Sequence, residues 1–398
     1  MPVLGALVAL MTGAGGPSTA AAGTTAARVP DDPLFEYQWN LSAIQIPAAW
    51  SVSRGAGAVV AVLDTGVAYE TRGPYRRAPD LAGTRFVAGW DFVDGDAHPN
   101  DVAPRDGRRS HGTQMAAIIA QTTGNGLGGA GVAPAATLMP IRVLRPDLSG
   151  TATAVARGLR FAADHGADVA SLSIAGPSQT RLVRRAVTYA TAKGVTVIAA
   201  TGNDGRAAVG WPAADPRVIA VGAVARDLTR APYSNFGRAL DLVAAAGAGN
   251  GGDSGYGPTD GVVGQTLKGG PAEFCFCFTA STSAAAAQVS GVAALLVGSG
   301  RAEGPAAVRA ALRQGARDLG PAGVDREYGS GLVQALGALR VAAGETAAPP
   351  TPRPAAPRSA DRSSGSGSKL IAALSLTGAA LLAGLAFVWL ARRRRRRR

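Results

Sequence analysis

AVVAVLDTGV, residues 58–67, opens with six apolar residues in unbroken succession and closes on Asp64, Thr65 and Gly66. A strand with one wet face alternates apolar and polar side chains, whereas a strand covered on both faces does not. Runs of the same kind recur at TLMPIRVL (137–144), ADVASLSI (167–174), GVTVIAA (194–200) and RVIAVGAV (217–224). Helical patterns separate them at 111–122, 151–165 and 179–193, and two more follow at 283–298 and 305–315. Doubly covered strands alternating with helices specify an α/β fold, with a mostly parallel central sheet flanked by helices on both faces. No internal repeat interrupts this pattern.

The end of the first strand carries the first chemical signal. A carboxylate at the carboxyl end of a buried strand stands where open α/β sheets gather ligands. There Asp64 can accept a hydrogen bond from an imidazole, fix its tautomer and stabilise the imidazolium. The chain has three histidines. His98 lies in the polar loop DGDAHPND, and His165 ends a helical pattern before Gly166. His111 opens a helix through His-Gly-Thr, among small residues that leave room for a substrate, and is the candidate base. Ser283 begins a helix whose first turns are nearly all alanine (STSAAAAQVSGVAALL, 281–296). A nucleophile there gains backbone N–H groups and a positive dipole end near a developing oxyanion. Asn203, in VIAATGNDG (197–205), follows another buried strand and offers a side-chain amide donor to the same charge. The order Asp…His…Ser distinguishes this arrangement from the other known orders of the triad. A competing serine, Ser254 in GDSGYGP (252–258), mimics the nucleophile segment of a two-barrel fold that the parallel pattern contradicts.

Composition bounds the rest. Of the net charge of +13, seven units come from Arg392 to Arg398, which leaves +6 for everything before them. No basic stretch of the core is interleaved with aromatics, so nucleic acid is not an expected partner. LIAALSLTGAALLAGLAFVWLA (370–391) is uncharged and long enough to cross a bilayer as a helix. The arginines after it place the C-terminus in the cytoplasm and the preceding chain outside. VLGALVAL and an A-x-A site at Ala20 to Ala22 read as a secretory signal, although no basic residue precedes Arg28. The expected division is a signal at 1–28, a catalytic domain at 32–342, a Pro/Ser/Gly-rich linker at 343–369, a span at 370–391 and a basic tail at 392–398. Cys275 and Cys277 alternate with phenylalanines in EFCFCF, which is strand periodicity, and are expected to be free buried thiols.

LDTG, HGT and TSxAAxxVSG together resemble the subtilase family of serine proteases over about 300 residues, from Asp32 to Leu339. The resemblance implies a subtilisin-like fold and peptide-bond hydrolysis through an acyl-enzyme. It implies a catalytic Asp64, His111 and Ser283, with Asn203 in the oxyanion hole. SLSIAG (171–176) is similar to the family's substrate strand, so Ser173, Ile174 and Ala175 would pair with a peptide backbone. Catalysis needs no cofactor. APDL (78–81) and TGNGLGGAGVAP (123–134) resemble segments of a structural calcium site, with Asp80 and Asn125 as oxygen ligands. YSNFG (233–237) fits the family's FSNxG. The usual GTSMAAPH here reads STSAAAAQ: Ser281 in place of Gly is expected to crowd the pocket, and Ala287 in place of Pro to loosen a turn. Signal, linker, span and basic tail together look like the mycosins of type VII secretion systems, which implies that machinery as a partner. The alternative is a catalytically silent scaffold of a secretion complex.

Overall fold

The structure, a computed structural model, describes residues 29–249 and 260–346. The expected signal, the span, the basic tail, nearly all of the linker and Ser254 lie outside the described residues. Among those residues no helix is long and apolar enough to cross a membrane.

Among the described residues there are ten strands: β1 (Val59–Asp64), β2 (Arg85–Phe86), β3 (Trp90–Asp91), β4 (Thr137–Arg142), β5 (Val169–Leu172), β6 (Thr196–Ala200), β7 (Ile219–Val224), β8 (Leu242–Ala245), β9 (Val262–Gly269) and β10 (Glu273–Thr279). The first eight form one sheet in the order β2-β4-β1-β5-β6-β7-β8, with β3 also on β4, and every pairing is parallel. Thus β1 sits centrally, its neighbours β4 and β5 reached by crossovers in opposite directions. The crevice at the carboxyl ends of such strands is where open α/β sheets bind ligands.

The described residues also form eight α-helices: α1 (Trp39–Ala43), α2 (Ile46–Ala49), α3 (Gly112–Ala120), α4 (Ala152–Asp164), α5 (Arg181–Ala192), α6 (Thr282–Gly298), α7 (Gly304–Gln314) and α8 (Ala335–Ala342). Alternate residues of β1 divide between two cores, as the strand period of two requires. Val60 and Val62 pack with α3 and α6, and Ala61 and Leu63 with α4 and α5. The continuous apolar run of β1 therefore has its cause: both faces are covered. Helix α6 is buried from Thr282 through Leu296, which explains why its sequence is small and apolar on every side. Gly291 lets it approach, because a Cβ there would lie 2.6 Å from the Val132 side chain.

Two expectations are corrected. Ala287 stands inside the continuous helix α6, fully buried, so no turn is loosened. Cys275 and Cys277 form a disulfide instead of free thiols. Alternate residues of a strand share a face, and their Cα separation of 5.7 Å is within the range a disulfide accepts. A register irregularity between Glu273 and Phe274 lies beside them in β10.

Candidate active site

Asp64 ends β1 with 1% of its side chain exposed. Its Oδ1 accepts from the Thr65 backbone N–H and lies 2.7 Å from His111 Nδ1. Gly66, at φ +107°, turns the chain immediately afterwards, and a Cβ there would lie 2.5 Å from Asn100 O. His111 is the N-cap residue of α3, with one-fifth of its side chain open to the cleft. Ser283 lies in the first turn of α6, and its hydroxyl donates to Ser173 O across 3.4 Å. That is long for an O–H···O bond, so little holds the hydroxyl in place. In return Ser173 Oγ donates to Ser283 O at 3.2 Å, tying the end of β5 to the start of α6.

The loop after β6 supplies Asn203. Its Oδ1 accepts from both the backbone N–H and the hydroxyl of Thr282, at 2.9 and 2.8 Å. With the oxygen so engaged, the amide –NH2 remains to donate, on an exposed residue that lines the cleft. Gly202 before it has φ +105°, and a Cβ there would strike Asn235 Nδ2 at 2.4 Å. Asn235 in turn accepts from Asp204 N and Arg206 N and donates to Thr201 O, so it props the whole loop. His111, Ser283, Asn203, Ser173, Ile174 and Ala175 all line one cleft of about 450 Å³. The structure thus brings together all seven site residues expected here except Asp64, which is buried directly behind His111. An imidazole backed by a carboxylate, a hydroxyl and an amide donor in one cleft is a constellation suited to acyl transfer.

Residues 55–331 match the model of the Subtilase family (Peptidase_S8). The chain belongs to the subtilase family. Thermitase of Thermoactinomyces vulgaris is 37% identical to it over 312 residues, spanning 78% of this chain and 99% of thermitase. Subtilisin Savinase of Lederbergia lenta is 35% identical over 303 residues, spanning 76% and 98% respectively. A solved protease of Pseudoalteromonas arctica PAMC 21717 is similar with a TM-score of 0.69 at 30% identity, covering 79% of this chain and all of that one. This subtilase is a serine endopeptidase of the subtilisin-like kind.

Around the site the subtilase holds residues that motif reading passed over. Asp101 is buried at 1% exposure and accepts from Thr65 Oγ1, Thr113 N and Thr113 Oγ1 at 2.9, 2.9 and 2.6 Å. Thr65 Oγ1 also accepts from Gly112 N. One carboxylate therefore clamps the turn after Asp64 to the helix that begins at His111. Burial pushes its carboxyl above the usual range, against the pull of its hydrogen bonds to Thr113, Ser110 and Thr65. Nothing local marks Asp101; the hydroxyls of LDTG and HGT were the available hint that a shared acceptor existed. Thr282 was equally silent. Ser281 lines the cleft, as expected, and is also the N-cap of α6, its Oγ accepting from Ala284 N at 3.2 Å.

Asp80 and Asn125 do meet. Asn125 Nδ2 donates to Asp80 Oδ1 at 2.9 Å, while Asp80 Oδ2 is buried without a partner. Burial raises the Asp80 pKa to about 7, and the nearby Asp32 carboxylate adds to the rise. A Cβ on Gly128 would lie 2.4 Å from Asp80 Oδ2, so the glycine loop keeps a space against that oxygen. Orphaned, crowded carboxylate oxygens suit a hard cation. Among the described residues no three or more His, Cys, Asp or Glu are grouped so that they could hold a metal ion, so loop carbonyls would have to complete the shell. Asn125 would present its oxygen only after a half-turn of its amide.

Proposed function

We propose that Ser283 is the nucleophile of this endopeptidase, His111 its general base and acid, and Asp64 the group that orients the imidazole. Ser283 Oγ attacks the carbonyl carbon of the scissile peptide bond and passes its proton to His111 Nε2. The carbonyl oxygen becomes an oxyanion beside the Asn203 amide. Collapse breaks the C–N bond, His111 returns the proton to the leaving amine, and water attacks the acyl-enzyme in the same way. Ser173, Ile174 and Ala175 pair with the substrate backbone as an added strand. The observation that carries this reading is the 2.7 Å contact between His111 Nδ1 and Asp64 Oδ1, opening on a cleft shared with Ser283. A fluorophosphonate probe tests it: the full chain should label and Ser283→Ala should not. An unlabelled wild-type chain would favour the silent scaffold instead.

Replacing Asn203 by Ala is expected to lower kcat roughly a hundred- to a thousand-fold with little change in KM. Unchanged turnover would remove Asn203 from the oxyanion hole.

The reading extends to the cell. The uncharged run 370–391 followed by seven arginines supports a single span, with the protease outside and the tail in the cytoplasm. The Cys275–Cys277 disulfide is consistent with an oxidising compartment. A chain ending at residue 368 should move from the membrane to the soluble fraction; if it stays with the membrane, another segment is the anchor. The mycosin-like role in type VII secretion rests on the same order of segments. Genes for that machinery are expected beside this one, and their absence would count against the role. A structural calcium ion held by Asp80, with Asn125 and loop carbonyls, completes the proposal. Chelator should lower the melting temperature of the wild type and leave Asp80→Asn unaffected; equal responses would rule out this site.

A further inference from the structure

Three backbone segments are tied together beside the Ser283 hydroxyl. Gly210 N donates to Thr201 O at 2.8 Å, and Gly176 and Trp211 exchange both backbone hydrogen bonds at 2.7 and 2.9 Å. Segments 173–176, 200–203 and 209–211 are therefore held side by side. Two of them present glycines to the space between, Gly202 and Gly210. The third presents a methyl group. A Cβ placed on Gly210 would lie 3.1 Å from the Ala175 Cβ, and one placed on Gly202 would lie 3.4 Å from it. The Ala175 methyl thus projects between the two glycines. Ala175 is nonetheless an exposed residue, so this methyl borders open cleft and is not packed away in the core.

The slot has little freedom to widen. The Asn235 amide and the Thr201 carbonyl border the same space, 2.4 and 3.0 Å from where a Cβ on Gly202 and on Gly210 would stand. Asn235 is itself held by three hydrogen bonds to the loop. A backbone-walled slot of this kind does not yield to a larger guest, because interiors resist overpacking.

We infer that Ala175 sets the cleavage preference of this enzyme: its methyl shortens the slot that takes the residue on the acyl side of the scissile bond. Substrates with Ala, Ser or Gly there are accepted, and those with Phe, Tyr or Leu are rejected. The inference rests on the nucleophile assignment above, since Ser283 defines which carbonyl is attacked.

The test is kcat/KM of the full chain and of Ala175→Gly on succinyl-Ala-Ala-Pro-X-p-nitroanilides, with X as Ala, Ser, Leu or Phe. Active sites are counted with the fluorophosphonate. Where turnover is slow, inactivation rates with the matching peptide diphenyl phosphonates give the same ratios. A misfit of one methylene in an apolar pocket changes kcat/KM by about 10- to 200-fold, so wild type should prefer Ala over Phe by at least about tenfold. Ala175→Gly should raise the Phe/Ala ratio of kcat/KM by about tenfold or more. A merely structural role for Ala175 would shift both values together. A wild type that takes Phe as readily as Ala, or a Phe/Ala ratio unmoved by Ala175→Gly, overturns the inference alone. No labelling and no turnover with any member of the series overturns the nucleophile assignment, and this inference with it.

Discussion

Ser283→Ala is expected to lower kcat roughly a million-fold, the scale of losing a nucleophile that acts as one unit with its base. Binding should survive, because KM reflects the strand at Ser173 to Ala175 and the walls of the cleft. Stability should survive too. The helix end at α6 is capped by the Ser281 hydroxyl, which accepts from Ala284 N. The Ser283 hydroxyl makes only its 3.4 Å bond to Ser173 O, so its deletion should cost no more than about 1 kcal/mol. Turnover of a chromogenic peptide and a thermal melt check both halves. A fall in activity matched by collapse of the melt would mean that the hydroxyl is structural. Ser254→Ala is the control, expected to keep wild-type turnover; the reverse pair of results would transfer the nucleophile to Ser254.

The central sheet could be read from residues alone because its strands are covered on both faces. β1, β4, β5, β6 and β7 fall within two residues of the apolar runs that announced them, α3 to α5 within the helical patterns between, and α6 and α7 within one residue of the two patterns that follow. What escaped was short or peripheral. β2 and β3 have two residues each, too few to show any period, and β8 is the four-residue LVAA. Strand β9 sits in a separate two-stranded sheet with β10, outside the βα alternation that guided the reading. EFCFCF was legible as a strand from its alternation. Its disulfide was not, because bridging depends on the local pleat and not on spacing.

The site divides in the same way. Asp64, His111 and Ser283 each sit in a short block whose neighbours serve the same chemistry, so each block carries its own signal. Asp101 acts through partners 36 and 12 positions away, and Thr282 through Asn203, 79 positions away. Such supports exist only after folding has brought distant segments together. Ser281 shows the converse: a cleft-lining departure from the family pattern also caps a helix, a role that appears only once its φ and ψ are known, at −164° and 159°.

Asp64→Asn is expected to lower kcat about ten-thousand-fold, the scale of removing the carboxylate from such a triad. Asp64 Oδ1 takes two donors, the Thr65 N–H and His111 Nδ1, both at 2.7 Å. The Thr65 N–H is fixed by backbone, so an amide at this position must keep its oxygen there and turn its –NH2 to the Oδ2 side. Oδ2 is buried and has no hydrogen-bond partner among the described residues. The amide –NH2 would be left equally without an acceptor, which costs about 1–3 kcal/mol of stability. The imidazole would still find an oxygen at Nδ1, so its tautomer is preserved. What disappears is the negative charge that stabilises the imidazolium as Ser283 attacks, in a setting where the carboxylate is 1% exposed and little screened. A large kcat loss with a modest drop in melting temperature and a nearly unchanged KM is the expected signature. Turnover within tenfold of wild type would show that the charge of Asp64 plays no part, however close it lies to His111.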